Sequence, residues 1–225
     1  HFGQALNGII DTTTLITGFT ITNGYSDNGG GIYCHSSGPS FTNLVILDNI
    51  TAGDGGGVYC QAGSSPSFTN VIIAGNSSLN SDGDGGGVYC AFSSSPSFTN
   101  VSITGNSTAG AGGGLYCSGS HPNLNSVTIS ANSAKFSAGI ALNSSNATLK
   151  NVTISANSAT ETGGGITLYF NSNPVLENVT IVGNTAGYSG GGIYFDQAPG
   201  SPLLINCILW NNSPQEIVFS SGGTN

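Results

Sequence analysis

Asn28, Asp54 and Asp84 each stand directly before a run of three glycines, Asp82 lies two residues ahead of Asp84, and Ala111 holds the same place in the next unit. Repeated oxygen donors of this kind suit a hard cation. Two carboxylates about 5 Å apart repel by roughly 3 kcal/mol at an effective dielectric near 20, and by less than about 1 kcal/mol in open water. A calcium ion among Asn28, Asp54, Asp82 and Asp84 relieves that repulsion with the ligands it prefers. A solvated carboxylate pair on an exposed turn relieves it without an ion. The glycines do not read as a phosphate loop, because neither a helix nor a GK[ST] follows. They read as a corner, where glycine permits a sharp bend at positive φ.

Tyr33, Tyr59, Tyr89 and Tyr116 follow the glycine runs at a constant offset. On alternating strands they point outward as a ladder, broken at Ala141 and Thr167. Such a ladder stacks against sugar rings or an apolar partner surface, or simply on itself. Cys34, Cys60, Cys90 and Cys117 come one residue later and turn inward as small core residues. Neighbouring thiols fall within reach of Cys34–Cys60 and Cys90–Cys117 bridges, whereas four thiols in a line do not make a tetrahedral zinc site. Cys207 has no partner at its position. His35 and His121 lie three repeats apart, about 14 Å, so with His1 they read as exposed turn residues. NxS/T occurs at nine asparagines, among them Asn49, Asn76, Asn106, Asn143 and Asn146, each a candidate for glycosylation.

Catalytic constellations find little to build on. The chain has no arginine, and its two lysines, Lys135 and Lys150, are far in sequence from the aspartates. A lyase site that pairs a basic residue with calcium-binding carboxylates is therefore not expected, nor is a three-aspartate hydrolase cluster. Only Asp54, Asp82 and Asp84 come near the carboxylate spacing of about 5 to 9.5 Å that glycoside hydrolysis needs. Ten acidic residues against two lysines give a net charge of -8, which excludes a phosphate-backbone partner and with it nucleic acid. No apolar run reaches the roughly 18 residues of a transmembrane helix. The start lacks the pattern of a signal peptide, and with no methionine the chain is expected to be a processed part of a longer product.

These residues are positioned by a repeat. The residue after each glycine run is Ile32, Val58, Val88, Leu115, Ile140, Ile166 and Ile193, at spacings of 26, 30, 27, 25, 26 and 27. Each unit holds three short extended pieces: GIYC-like, then PSFTN-like, then VSITGN-like, separated by Gly, Pro, Ser and Asn. The spacing predicts an all-β fold, a single right-handed parallel β-helix with three strands per coil and about eight coils of roughly 25–30 residues. One domain spans 1–225, with 1–18 an incomplete first coil or cap, 19–206 regular coils and 207–225 a closing coil. Stacking turns aligned positions into columns: Phe41, Phe68 and Phe98 inward, Ile46, Ile73 and Ile103 inward, and an asparagine ladder from Asn49 to Asn212. A second asparagine column, from Asn43 to Asn206, is expected to resemble it. Rows such as Thr128–Ser130 and Thr153–Ser155 face outward.

Segments such as ITGNSTAGAGGGLYC resemble the FxxN and GGA[IL] repeats of chlamydial polymorphic outer membrane proteins, and more closely the large secreted bacterial right-handed parallel β-helix repeat proteins. The resemblance covers nearly the whole chain and implies secretion or cell-surface display, with no single activity. Together these readings lead to a non-catalytic structural module, able to associate end to end into a filament. A glycan-binding adhesin using the tyrosines is the alternative; polysaccharide cleavage and ice binding by the hydroxyl rows come after it.

Overall fold

A computed structural model describes residues 2–3, 10–196 and 200–220. His1, residues 4–9 of the expected first coil or cap, and residues 221–225 of the expected closing coil lie outside them. Among the described residues every strand pairing is parallel and no helix occurs. The first sheet has nine strands, from Phe2–Gly3 to Ile217–Phe219. The second has eight, from Leu15–Thr17 to Leu203–Ile205, and the third eight, from Thr20–Thr22 to Ile208–Trp210. The fourth has seven, from Tyr25–Ser26 to Thr185–Ala186. The chain visits the sheets in this order once per coil, which makes a parallel solenoid. Seven steps of about 4.8 Å give a rod roughly 34 Å long. No helix of the described residues is long and apolar enough to cross a membrane.

The first three sheets are the three strands per coil that the repeat predicts. The fourth consists of two-residue strands such as Ile50–Thr51, Ser77–Ser78 and Ser107–Thr108. It lies between the repeated asparagine and the glycine run, where two residues are too few for an alternation to show.

Inside, register makes columns. Ile46, Ile73 and Ile103 are direct partners, as are Phe41, Phe68 and Phe98, whose rings stack at 4.9 and 5.1 Å. All six are wholly buried. Volume is shared between sheets within each coil. Where the second sheet supplies Phe41, Phe68 or Phe98, the first supplies Cys34, Cys60 or Cys90; where the second supplies Leu149 or Leu176, the first supplies Leu142 or Leu168. Pairing a large residue with a small one, or two of middle size, keeps the interior near close packing. Cys117 shares its coil with Leu124 and marks the boundary between the two fillings.

The asparagine ladder is continuous from Asn49 to Asn212. The Asn106 Nδ2 donates to the Ile73 carbonyl at 3.0 Å and to Asn132 Oδ1 at 3.0 Å. Its Oδ1 accepts from the Asn76 backbone N–H at 3.0 Å and from Asn76 Nδ2 at 3.0 Å. Every amide is thus satisfied, where a buried orphan would cost about 1–3 kcal/mol. The ladder also has defined ends. Asn49 Oδ1 accepts from Gly24 N at 2.9 Å. Asn212 donates from Nδ2 to Glu216 Oε2 at 2.6 Å and from its backbone N to Glu216 Oε1 at 3.2 Å, so a carboxylate stands where the next asparagine would.

The column Asn43, Asn70, Asn100, Asn151, Asn178 and Asn206 does bond from coil to coil, Asn70 Nδ2 donating to Asn43 Oδ1 at 3.2 Å, Asn100 Nδ2 to Asn70 Oδ1 at 2.7 Å and Asn178 Nδ2 to Asn151 Oδ1 at 3.3 Å, but on the surface and not in the interior. These residues are exposed and have φ between 52° and 55°. They turn the corner from the second sheet to the third in the left-handed region, which asparagine tolerates better than most residues. A buried serine column does a ladder's work elsewhere: Ser145 N donates to Ser172 Oγ at 3.1 Å, and Ser145 Oγ donates to the Cys117 carbonyl at 3.1 Å.

Candidate functional site

The expected cation ligands collect where the chain turns from the fourth sheet back to the first. Two glycines shape this corner. Gly55 has a φ of 68°, and a Cβ there would meet the Val58 carbonyl oxygen at 2.5 Å and Tyr59 Cβ at 2.9 Å. A Cβ on Gly57 would meet the Gly87 carbonyl oxygen at 2.7 Å and Asn76 Nδ2 at 3.0 Å. The first position needs left-handed backbone beside a tyrosine, and the other lies against the next coil. In the coil where the tyrosine becomes Ala141, the first glycine becomes Ser137 with a φ of 54°.

Asn28, Asp54 and Asp84 do form a column, and each side chain reaches the backbone of the following coil. Asn28 Oδ1 accepts from Asp54 N at 3.0 Å, Asp54 Oδ1 from Asp84 N at 2.8 Å, and Asp84 Oδ1 from Ala111 N at 2.7 Å. The column ends at Ala111, which has no acceptor to offer. Asp82 stays on the exposed turn before it. Burial raises the Asp84 pKa to about 6, with the charges of Asp54 and Asp82 adding to the rise and the Ala111 N–H opposing it. Burial also raises that of Asp54. Among the described residues, no three His, Cys, Asp or Glu side chains converge as a metal-holding group. What the geometry shows at this column is a rung-by-rung backbone clamp.

Tyr33, Tyr59, Tyr89 and Tyr116 stack with ring centroids 5.3, 5.1 and 5.2 Å apart and planes within 7° of parallel. Of the readings the sequence offers for this ladder, the geometry has the form of rings stacked on one another. Each inner ring covers its neighbours' faces, Tyr59 is only 6% exposed, and the others are partly buried. A sugar ring therefore has no broad face to stack on along the ladder. Polar contacts tie the hydroxyls down: Tyr59 OH donates to Gln61 Oε1 at 3.2 Å, Gln61 Nε2 donates to Tyr33 OH, and Asn143 Nδ2 donates to Tyr116 OH at 3.4 Å. Burial and then the Asp54 charge push the Tyr59 phenol up to about 12.

Cys34, Cys60, Cys90 and Cys117 are in register and buried, and all are free thiols, as is Cys207. A hydrogen bond to the Cys60 thiol, followed by burial, pushes the Cys34 thiol far up, so none of the thiolate character that makes a cysteine reactive is present there. The sequons divide sharply. Asn49, Asn76 and Asn106 are wholly buried rungs of the ladder with both amide hydrogens engaged. This overturns them as glycosylation sites in the folded chain. Asn143 is half-buried against Tyr116, while Asn146 is exposed and receives Asn173 N on its Oδ1 at 2.8 Å. Of the five, Asn146 is the accessible acceptor.

The ladder rungs at Asn49 to Asn212 were legible as columns before any coordinates. The serine column, the terminal carboxylate of Glu216 and the Gln61 clamp were missed. Glu216 follows the last rung, Asn212, by only four residues, off the asparagine spacing, Gln61 ends a strand at a position occupied by other residue types in other coils, and Ser145 lies in a turn of variable length, so none of them carried a signal.

The architecture defines a class, the parallel β-solenoids, and the family comparison makes it particular. The family described as right-handed beta helix region matches residues 8–186 and, in a second overlapping match, residues 132–225. The chain belongs to that family. No curated protein and no solved structure gave a match.

Proposed function

We propose that the chain is a non-catalytic structural rod, part of a secreted or surface-displayed bacterial protein. One observation carries the reading: the side chains best suited to chemistry are engaged in joining one coil to the next. Asp54 and Asp84 clamp backbone N–H groups, the tyrosines cover each other, and the asparagines exhaust their donors within the interior. The resemblance of the repeats to secreted β-helix repeat proteins supports the location.

Stacking of whole molecules into a filament has less support. The first sheet extends one strand beyond the second and third at the C-terminal end, through Ile217–Phe219, and Phe2–Gly3 lies in the same coil as Leu15–Thr17. A neighbour continuing the second and third sheets would bring its Phe2–Gly3 into the level that Ile217–Phe219 already fills.

Incubation with neutral and acidic polysaccharides, with and without calcium, should release no reducing ends and no unsaturated products. Turnover that disappears in an Asp54→Asn/Asp84→Asn variant would sink the proposal. A glycan array showing binding abolished by Tyr59→Ala and Tyr89→Ala would replace it with the adhesin reading.

A further inference from the structure

The exposed asparagine column between the second and third sheets lacks one rung. Up to Asn100 each amide donates from Nδ2 to the Oδ1 of the coil before it. Ser126 then takes the place of an asparagine with the same backbone, at a φ of 57°. Its hydroxyl makes no bond to Asn100 and stands 3.5 Å from Asn125 Oδ1, which Asn151 Nδ2 also approaches only to 3.5 Å. Among the described residues no side chain donates to Asn100 Oδ1, and Asn151 Nδ2 holds its acceptor at the limit of a hydrogen bond. Beside this break runs a groove of about 330 Å³, bordered by Asn70, Asn100 and Ser126 on the corner and by Ile72, Ser102 and Thr128 on the third sheet. The last three are successive register partners, and the first three stand two residues before them, so both rows border the same groove. Its volume is at the lower end for small-molecule sites, roughly 300–1,000 Å³, and no ionisable side chain lines it.

We infer that this groove binds an N-acetylhexosamine unit of a neutral glycan, whose acetamido group takes the place of the missing rung. A trans secondary amide points its N–H and its carbonyl in opposite directions, as a peptide does between two strands about 4.8 Å to either side. At the level of Ser126 such an amide donates to Asn100 Oδ1 and accepts from Asn151 Nδ2. Along the groove Ile72, 45% exposed, offers an apolar patch to a pyranose face, and the Ser102 and Thr128 hydroxyls offer both donors and acceptors to its substituents. An acidic sugar would find no free cation, since Lys150, the register partner of Asn125, is engaged with Glu177 at 3.2 Å. An extended peptide would find no free main-chain donors. The N–H groups of Asn70, Asn100, Ser102, Ser126 and Thr128 all bond to carbonyls of neighbouring coils, which leaves no edge for strand addition. One amide is missing, and one amide is what an N-acetylated sugar brings. A glycan held here tethers the rod by its flank and leaves its structural role in place.

Titration calorimetry with N,N′,N″-triacetylchitotriose should give one site per chain with a Kd on the order of 1 mM, as suits a shallow open groove. Saturation-transfer NMR should show its strongest effect at an acetamido methyl. Cellotriose, the same linkage with hydroxyls in place of the acetamido groups, should bind at least about tenfold more weakly, the worth of one or two hydrogen bonds. Ser126→Asn supplies the rung from the chain itself, with the residue that six other coils carry at this left-handed position. It should weaken triacetylchitotriose by about tenfold or more, with an unchanged β-rich circular dichroism spectrum showing that it has folded. Asn100→Gly, which also suits the left-handed φ, removes the acceptor and should weaken binding by a similar factor. Absence of triacetylchitotriose binding at about 10 mM would overturn the inference. So would cellotriose or the peptide N-acetyl-trialanine amide binding as tightly, or a Ser126→Asn variant that binds as the wild type does.

Discussion

From Ile32 to Phe98 each coil is filled by one phenylalanine and one cysteine, roofed by a stacked tyrosine and turned over an Asn or Asp clamp. From Ile140 to Leu176 the coils hold two leucines, Ala141 and Thr167 replace the tyrosines, and the acidic clamp is gone. Backbone pairing and the asparagine ladder run through both regions unchanged, whereas the serine corner is interrupted at Ser94, whose hydroxyl is buried without a hydrogen-bond partner among the described residues. The comparison separates what the solenoid requires from what each coil chooses. Register and the ladder are required; the division of interior volume, and the furniture of the corner, are local solutions that must agree within a coil.

Truncating the core gives the largest expected effects and shows the difference in filling. Phe68→Ala removes a ring stacked between two others and should cost about 4 kcal/mol, against about 3 kcal/mol for Leu149→Ala in the second region. Denaturant unfolding of the two variants measures this; a larger loss for Leu149→Ala would contradict the assignment of the phenylalanines as the principal filling. The ladder should not distinguish the regions. Asn76→Ala and Asn157→Ala each strand amide and backbone groups on both neighbouring coils and should each cost about 3 kcal/mol. A difference above about 1 kcal/mol between them would show that the ladder is not uniform.

A smaller effect tests the sharing of volume. Cys90→Leu enlarges a coil that already holds Phe98, and should cost about 2 kcal/mol. Adding Phe98→Leu converts that coil to the filling of the second region, so the double variant should recover at least about 1 kcal/mol relative to the sum of the single changes. Strict additivity would mean that the two columns do not exchange volume. Cys117→Leu, already paired with Leu124, should be better tolerated than Cys90→Leu.

Much of this was legible in the repeat because stacking makes a single aligned position speak for a whole column. The Phe, Ile, Cys and Asn49-to-Asn212 columns all carry one residue class at one offset, and their inward or outward sense follows from alternation. The two-residue strands of the fourth sheet carry no alternation and stayed hidden. The candidate site was less legible because residue type does not reveal what a side chain faces. For Asp54 and Asp84, residue type alone could not show that a backbone N–H one coil away meets one oxygen of each. Tyr59 alternated outward as expected, but the glycine corner folds close to its Cβ and its neighbours cover its ring. Asn43 and Asn49 share a residue type and repeat period, and only the backbone φ and burial tell the exposed corner ladder from the buried one.

The central claim, that the acidic column is scaffold, is tested most directly by the thermal stability of the wild type and an Asp54→Asn/Asp84→Asn variant at pH 4 and pH 8, with and without calcium. Asparagine keeps the acceptor that Asn28 already uses in this column and removes the charge. Because the folded-state pKa of Asp84 is raised from 3.8 to about 6, the folded chain holds this proton more tightly than the unfolded one. Ionisation therefore costs stability progressively as pH rises from about 4 to 6 and fully above that, by on the order of 2 kcal/mol for a partly exposed group. The account predicts a variant that is more stable than the wild type at pH 8, equal to it near pH 4, and indifferent to calcium, as the wild type should be. A wild-type chain stabilised by calcium at pH 8, with that stabilisation lost in the variant, would contradict it.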